Sequence, residues 1–183
     1  MTMRRVLLSM LLWGRPGLVA AEACSPLLDV KVRTLNEDHE VRLCEAYRDK
    51  VVLVVNTASK CAFTDQYGEL ETLYSRYRDR GLVVLGFPSN DFANQEPGTE
   101  KQIKSFCRLT YGVQFPMFAK TRVKKDHADP LYRNLGEAAG RYPWWNFHKY
   151  LIGRDGRLVD DYLSPISPLG SGMIADIERE LNR

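Results

Sequence analysis

No two of the four cysteines in this 183-residue chain are spaced as a C-x-x-C pair: position 64, three residues after Cys61, is threonine. Dithiol exchange through that motif is therefore excluded. Histidine is scarce too. His39, His127 and His148 are scattered, and no Cys/His spacing matches a zinc site. An excess of one charge sign is also lacking. With 26 basic against 23 acidic residues, nothing points to nucleic acid or to a polybasic membrane patch. No apolar run approaches the roughly 20 residues of a transmembrane helix, and there is no internal repeat or low-complexity tract. What remains is ordinary globular composition, 44% apolar and 27% charged, at a length that suits one domain with a substantial core.

The first residues stand apart. Arg4 and Arg5 precede the apolar stretch Val6 to Trp13, and small residues follow from Gly17 to Ala23. That order predicts a secretory signal over residues 1–23, with cleavage after Ala21 or Ala23 and a single domain over 24–183. The protein is then expected in the periplasm or outside the cell. A disordered or amphipathic extension is the alternative. Lipid attachment at Cys24 is a third reading, to which Ala21-Glu22-Ala23 is poorly suited. Without residues 1–23 the chain loses Arg4, Arg5, Arg15 and Glu22, leaving 23 basic and 22 acidic residues. In an oxidising compartment four cysteines suggest disulfides. Cys24 and Cys44 flank a hairpin-like unit, Leu27 to Val32 and His39 to Cys44. A structural disulfide between them and two independent thiols are both compatible with the pattern.

The rest of the chain alternates in type. Val51 to Thr57 is a β-branched run ending in small and polar residues, a buried strand that delivers Cys61 to a strand-to-helix turn. Tyr67, Leu70, Leu73, Tyr74 and Tyr77 have helical spacing, with Gly81 as a stop. Leu82 to Phe87 is a second buried strand, so a parallel βαβ unit is expected. Thr99 to Gln102 has a capping-box pattern, and Ile103, Phe106, Cys107 and Thr110 share one face of the helix it starts. Gln114 to Ala119 is a candidate edge strand containing Pro116. Pro130 to Ala139 reads as a helix, and Phe147–Ile152 with Leu158–Tyr162 as a hairpin around Arg154-Asp155-Gly156. Met173 to Leu181 is a closing amphipathic helix. The order predicts an α/β domain of thioredoxin-like fold, a central mixed β-sheet flanked by helices.

A thiol near a helix N-terminus meets the positive end of the helix dipole and free backbone N–H groups, which favour the nucleophilic thiolate. A buried core cysteine is the bland alternative for Cys61. A lone thiolate among polar neighbours suits attack on the O–O bond of a peroxide, giving a sulfenic acid that a second thiol can resolve. Such chemistry needs hydrogen-bond donors but neither metal nor cofactor.

Three stretches then carry a family resemblance. They are Asn56-x-Ala58-Ser59-Lys60-Cys61, Leu85 to Asn90 with Asp91-Phe92-x-x-Gln95-Glu96-Pro97-Gly98, and Trp145-Asn146-Phe147. Together, from about Leu27 to Leu181, they resemble the glutathione peroxidase family. The resemblance implies that Cys61 is the peroxidatic residue and that Gln95, Trp145 and Asn146 complete a catalytic tetrad. Two amides and an indole would supply uncharged donors. Taken singly, Gln95 and Asn146 also suit loop capping, and Trp145 core packing. Cys107 falls where the thioredoxin-dependent branch has its resolving cysteine, though it also suits a core position beside Ile103 and Phe106.

The resemblance further implies an antioxidant thiol peroxidase acting on hydrogen peroxide or organic hydroperoxides. A thioredoxin-like protein or glutathione would be the reductant, and a resolving cysteine favours the dithiol protein. Ser89 and Asp91 depart from the family's cysteine and glutamine in that loop. The short segment between Leu135 and Trp144 lacks the insertion of tetrameric members, so a monomer is expected. A peroxide sensor or redox relay would share the first step. A binding domain that has lost activity would not.

Overall fold

The computed structural model describes residues 24–183, so the expected export signal lies outside the described residues. The sheet is built around β3 (Val51–Thr57), every residue of which is buried. Its neighbours are β4 (Leu82–Pro88), parallel from Val51↔Leu82 to Thr57↔Pro88, and β5 (Lys149–Ile152), antiparallel from Val52↔Ile152 to Val55↔Lys149. Then β6 (Leu158–Tyr162) closes the order β4-β3-β5-β6. A strand buried on both faces has no need to alternate apolar with polar side chains, which is why its sequence is a continuous apolar run.

Side chains of β3 still alternate in direction. Val51, Leu53 and Val55 pack with α2 (Gln66–Tyr77), α3 (Glu100–Tyr111) and α5 (Ser171–Leu181). Val52 and Val54 face α4 (Pro130–Ala139) and the short helix α1 (Leu43–Ala46). A mixed sheet with helices on both faces is the expected thioredoxin-like arrangement. The capping box of α3 is present in full: Thr99 Oγ1 accepts from the Gln102 amide at 3.3 Å, and Gln102 Oε1 accepts from the Thr99 amide at 2.9 Å.

Three local expectations are corrected. Residues 26–28 form a turn, so the first arm is only β1 (Lys31–Arg33), paired with β2 (Glu40–Arg42). Gln114 to Ala119 is not a strand. Pro116 has no N–H to give to a ladder, and the segment makes only isolated bridges, Gly86↔Met117 and Thr34↔Phe118. It lies so close to β4 that a Cβ on Gly86 would stand 2.3 Å from Met117 Sδ. Finally, β5 begins at Lys149 rather than Phe147, because Phe147 has φ +64° and cannot continue a strand.

Cys24 and Cys44 are joined in a disulfide with Cα atoms 5.3 Å apart. It fastens the start of the described chain to α1, beside the β5–β6 turn, where Ser25 Oγ donates to the Gly156 carbonyl. This is the N-terminal end of β3, and Cys61 follows the other end, roughly 20 Å of strand away. The cysteines stand 20 residues apart, and closing a loop of that size is worth about 3 kcal/mol in chain entropy. Replacing both cysteines by serine is expected to lower unfolding free energy in urea by up to about that amount and to leave the reaction of Cys61 with peroxide unchanged.

Candidate active site

Beyond β3 the chain turns sharply. The Thr64, Gln66, Tyr67 and Gly68 amides each donate to the carbonyl three residues earlier, so winding begins at Cys61 and runs into α2. The threonine in place of a second cysteine has a job here. Thr64 Oγ1 accepts from the Cys61 amide at 2.9 Å and donates to the carbonyl of Cys61 at 2.7 Å or Ala58 at 3.1 Å. Cys61 is free and partly exposed. Its Sγ accepts the Phe63 N–H at 3.4 Å, where negative charge resides when the thiol reacts.

Two further loops meet this turn. The Lys60 amide donates to the Gln95 carbonyl at 3.0 Å, and Ser59 Oγ to Glu96 Oε2 at 3.1 Å. Asn146 is buried, and its Nδ2 donates to Gln95 Oε1 at 3.0 Å. Trp145 lays its ring against Phe92, centroids 5.6 Å apart. The structure thus links the Cys61 turn to the Gln95 loop, and Gln95 to Asn146. Among the described residues, no hydrogen bond runs directly from Gln95, Trp145 or Asn146 to Cys61 Sγ.

The residue that holds these loops together entered the sequence reading only as the first position of a family motif, with no role assigned. Asn56 is fully buried near the end of β3. Its Nδ2 donates to the Trp145 carbonyl at 3.1 Å, its Oδ1 accepts from the His148 amide at 3.1 Å, and its own carbonyl accepts from the Phe147 amide. The signal was a carboxamide at the end of an otherwise apolar strand. The two departures from the family loop also have structural roles. Ser89 Oγ accepts from the Asp91 amide at 3.4 Å. Asp91 accepts from the amides of Val123 and Lys124 and lies 3.2 Å from His127 Nε2.

Cys107 is free, fully buried on α3, and not bonded to Cys61. Burial pushes its thiol up to about 11. Its nearest organiser is Tyr67 of α2, whose ring contacts Phe106 and Tyr111 on either side of Cys107 and also Phe147, at 6.5, 5.6 and 5.4 Å. At its C-terminus α3 is closed by a left-handed cap, in which the Gly112 amide also reaches the Arg108 carbonyl at 3.1 Å and Arg108 Nη1 donates to the Val113 carbonyl at 3.3 Å. Gly112 caps it at φ +64°, the amides of Gly112 and Val113 converge on the Cys107 carbonyl, and Leu109 is 87% exposed.

A fold of this kind, with a free thiol at the strand-to-helix turn and an amide network around it, defines a thioredoxin-fold thiol peroxidase. The sequence profile of glutathione peroxidase matches residues 27–136. The chain is 49% identical over 125 residues to the glutathione peroxidase-like peroxiredoxin gpx1 of Schizosaccharomyces pombe, covering 66% of this chain and 79% of that one. It is 40% identical over 155 residues to the thioredoxin/glutathione peroxidase BtuE of Escherichia coli, covering 72% and 85%. A crystal structure of Trgpx in apo form superposes with a TM-score of 0.68 at 35% identity, covering 86% of this chain and 97% of that one. The chain belongs to the glutathione peroxidase family, and it is an enzyme that reduces a peroxide at the expense of a thiol reductant.

Two measurements test the site's electrostatics. Iodoacetamide at pH 8 is expected to alkylate Cys61 at least about 100-fold faster than Cys107, since a buried thiol with so high a pKa is almost wholly protonated there. Peptide mapping reads the ratio, and equal rates would contradict the buried placement. His148, fully buried beside the site loop, is pushed down to about 4 by burial and by the charges of Arg141 and Lys149. The unfolded chain takes up a proton below its ordinary pKa of 6.5 while the folded one does not. Stability from this residue is therefore lost as pH falls from about 6.5 to about 4, a loss that the Asp161 carboxylate 3.2 Å from Nε2 reduces. Urea unfolding at pH 7 and 4.5 should show a smaller difference for His148→Asn than for the wild type.

Proposed function

We propose that Cys61 is the peroxidatic thiol of this enzyme and that Cys107 resolves its oxidised form. The observation that carries the reading is the placement of Cys61. It is the one free cysteine reachable from solvent among the described residues, on a turn tied by Lys60 to Gln95 and through Gln95 to Asn146.

In the first step the Cys61 thiolate attacks the terminal oxygen of ROOH. An S–O bond forms as the O–O bond breaks, Cys61 becomes a sulfenic acid, and RO⁻ leaves and takes up a proton. The Phe63 amide holds the sulfur before attack. With its oxygen engaged by Asn146, Gln95 keeps its own NH₂ free to donate to the departing oxygen, and the Trp145 indole N–H is the second donor. Next, the Cys107 sulfur displaces the sulfenic hydroxyl as water and forms the Cys61–Cys107 disulfide. A dithiol protein of thioredoxin type then supplies two electrons and two protons and restores both thiols.

A disulfide requires Cα atoms within about 7 Å, so Cys107 has to leave its helical position. That release breaks the bonds that the Gly112 and Val113 amides make to the Cys107 carbonyl. The missing insertion between Leu135 and Trp144 supports a monomer. The arginine-led apolar start and the Cys24–Cys44 disulfide support export to the periplasm or beyond.

Peroxide consumption by wild type, Cys61→Ser and Cys107→Ser, each with thioredoxin and with glutathione, tests the scheme. Cys61→Ser is expected to be inactive with both. Cys107→Ser should lose at least about tenfold with thioredoxin and retain any turnover seen with glutathione, because only the former route needs a protein disulfide. Full activity in Cys61→Ser would refute the scheme, and stoichiometric oxidation without turnover in the wild type would favour a relay. In the oxidised protein, amides of residues 103–112 should exchange faster. Unchanged exchange despite a Cys61–Cys107 bond would exclude local unwinding.

A further inference from the structure

Between the Cys61 turn and α3 lies an open cleft of about 380 Å³, within the range of small-molecule sites, about 300–1,000 Å³. It is lined by Lys60 from the Cys61 turn, by Pro97 and Gly98 from the loop after Gln95, and by Ile103 and Phe106 of α3. We propose that this cleft seats the uncharged organic portion of a hydroperoxide whose O–O group lies at Cys61. The inference rests on Cys61 as the peroxide-reacting thiol and assigns the residues that discriminate between peroxides. Lys60 adjoins Cys61, and the cleft residue Glu96 adjoins Gln95. Two lining residues thus flank, in the chain, the reacting cysteine and a site amide, and the Lys60 amide joins the two loops by donating to the Gln95 carbonyl at 3.0 Å.

The lining selects the chemistry. Pro97, Ile103 and Phe106 offer apolar surface for an alkyl or aryl group. The one acidic group, Glu96, is buried; it accepts from Ser59 Oγ at 3.1 Å through one oxygen, and its other oxygen has no partner. The single lining cation, Lys60, is exposed, so the lining offers an anionic tail no buried cationic partner. Hydrogen peroxide leaves the cleft unused.

Gly98 allows the cleft to be filled without disturbing the fold. An added Cβ would meet Gln102 Cβ and Ile103 Cγ1 at 3.6 Å, ordinary contact distances. Gly98 immediately precedes the Thr99 cap and Ile103 is the fourth residue of α3, so a leucine at 98 would complete a hydrophobic staple. The test is the rate of Cys61 oxidation in a single turnover, followed by stopped-flow tryptophan fluorescence with cumene hydroperoxide and with hydrogen peroxide, for wild type, Gly98→Ala and Gly98→Leu. The ratio of the cumene hydroperoxide rate to the hydrogen peroxide rate is expected to fall by at least about tenfold in the leucine variant and by less in the alanine variant. An unchanged cumene hydroperoxide rate, or an equal loss with both peroxides, would overturn the assignment. Failure of the underlying reading shows separately, as hydrogen peroxide reduction by Cys61→Ser.

Discussion

The site depends on one buried carboxamide. Asn56 ends the run of central-strand residues that look into the core, and it spends its hydrogen-bonding capacity on the chain between Trp145 and His148. That chain is awkward to hold. Phe147 has φ +64°, which costs a non-glycine residue about 1–2 kcal/mol. The Asn56 carbonyl on the Phe147 amide and the edge of the Tyr67 ring keep it there. As a result the Trp145-Asn146 pair is fixed to the same strand that delivers Cys61. Distance along the chain, 84 residues from Cys61 to Trp145, ceases to matter, because both hang from the end of β3.

The elements legible in the sequence were those in which local chemistry and global packing agree. The apolar runs of β3 and β4, the capping box at Thr99, the start at Pro130 and the turn at Gly156 all appear where pattern put them. Failures occurred where backbone geometry overrode side-chain pattern. Residues 114–119 look like a strand by alternation, yet Pro116 cannot donate and Gly86 lets the segment press onto β4 without a full ladder. Phe147 looks like the first residue of a strand, yet its backbone is turned by the constraint from Asn56. No single-residue propensity contains that information, since it comes from a partner 91 positions away.

Of the candidate residues, Cys61 was legible as a thiol at a strand-to-helix turn from local pattern. Gln95, Trp145 and Asn146 were visible only through the family motif, because an amide or indole in a loop has no distinctive spacing of its own. The roles of Asn56 and Glu96 became visible only with coordinates, since each acts through hydrogen bonds to loops remote in sequence, and that of Thr64 because its bonds to Cys61 and Ala58 depend on how the turn folds back. The Cys24–Cys44 pairing was one of two readings open to the sequence; spacing could not decide it, and proximity of α1 to the chain start does.

The cap of α3 has a consequence for shape. The Val113 amide ends on the carbonyl of Cys107, and the Gly112 amide is shared between that carbonyl and the one of Arg108. Val113 leads into the segment that reaches β4 through Gly86 and the first hairpin through Thr34. In the proposed resolving step Cys107 leaves this place, so the helix loses its bonds at that carbonyl while the Gln114 amide stays held by Glu71. Oxidised and reduced chains would then differ in outline as well as in a single bond.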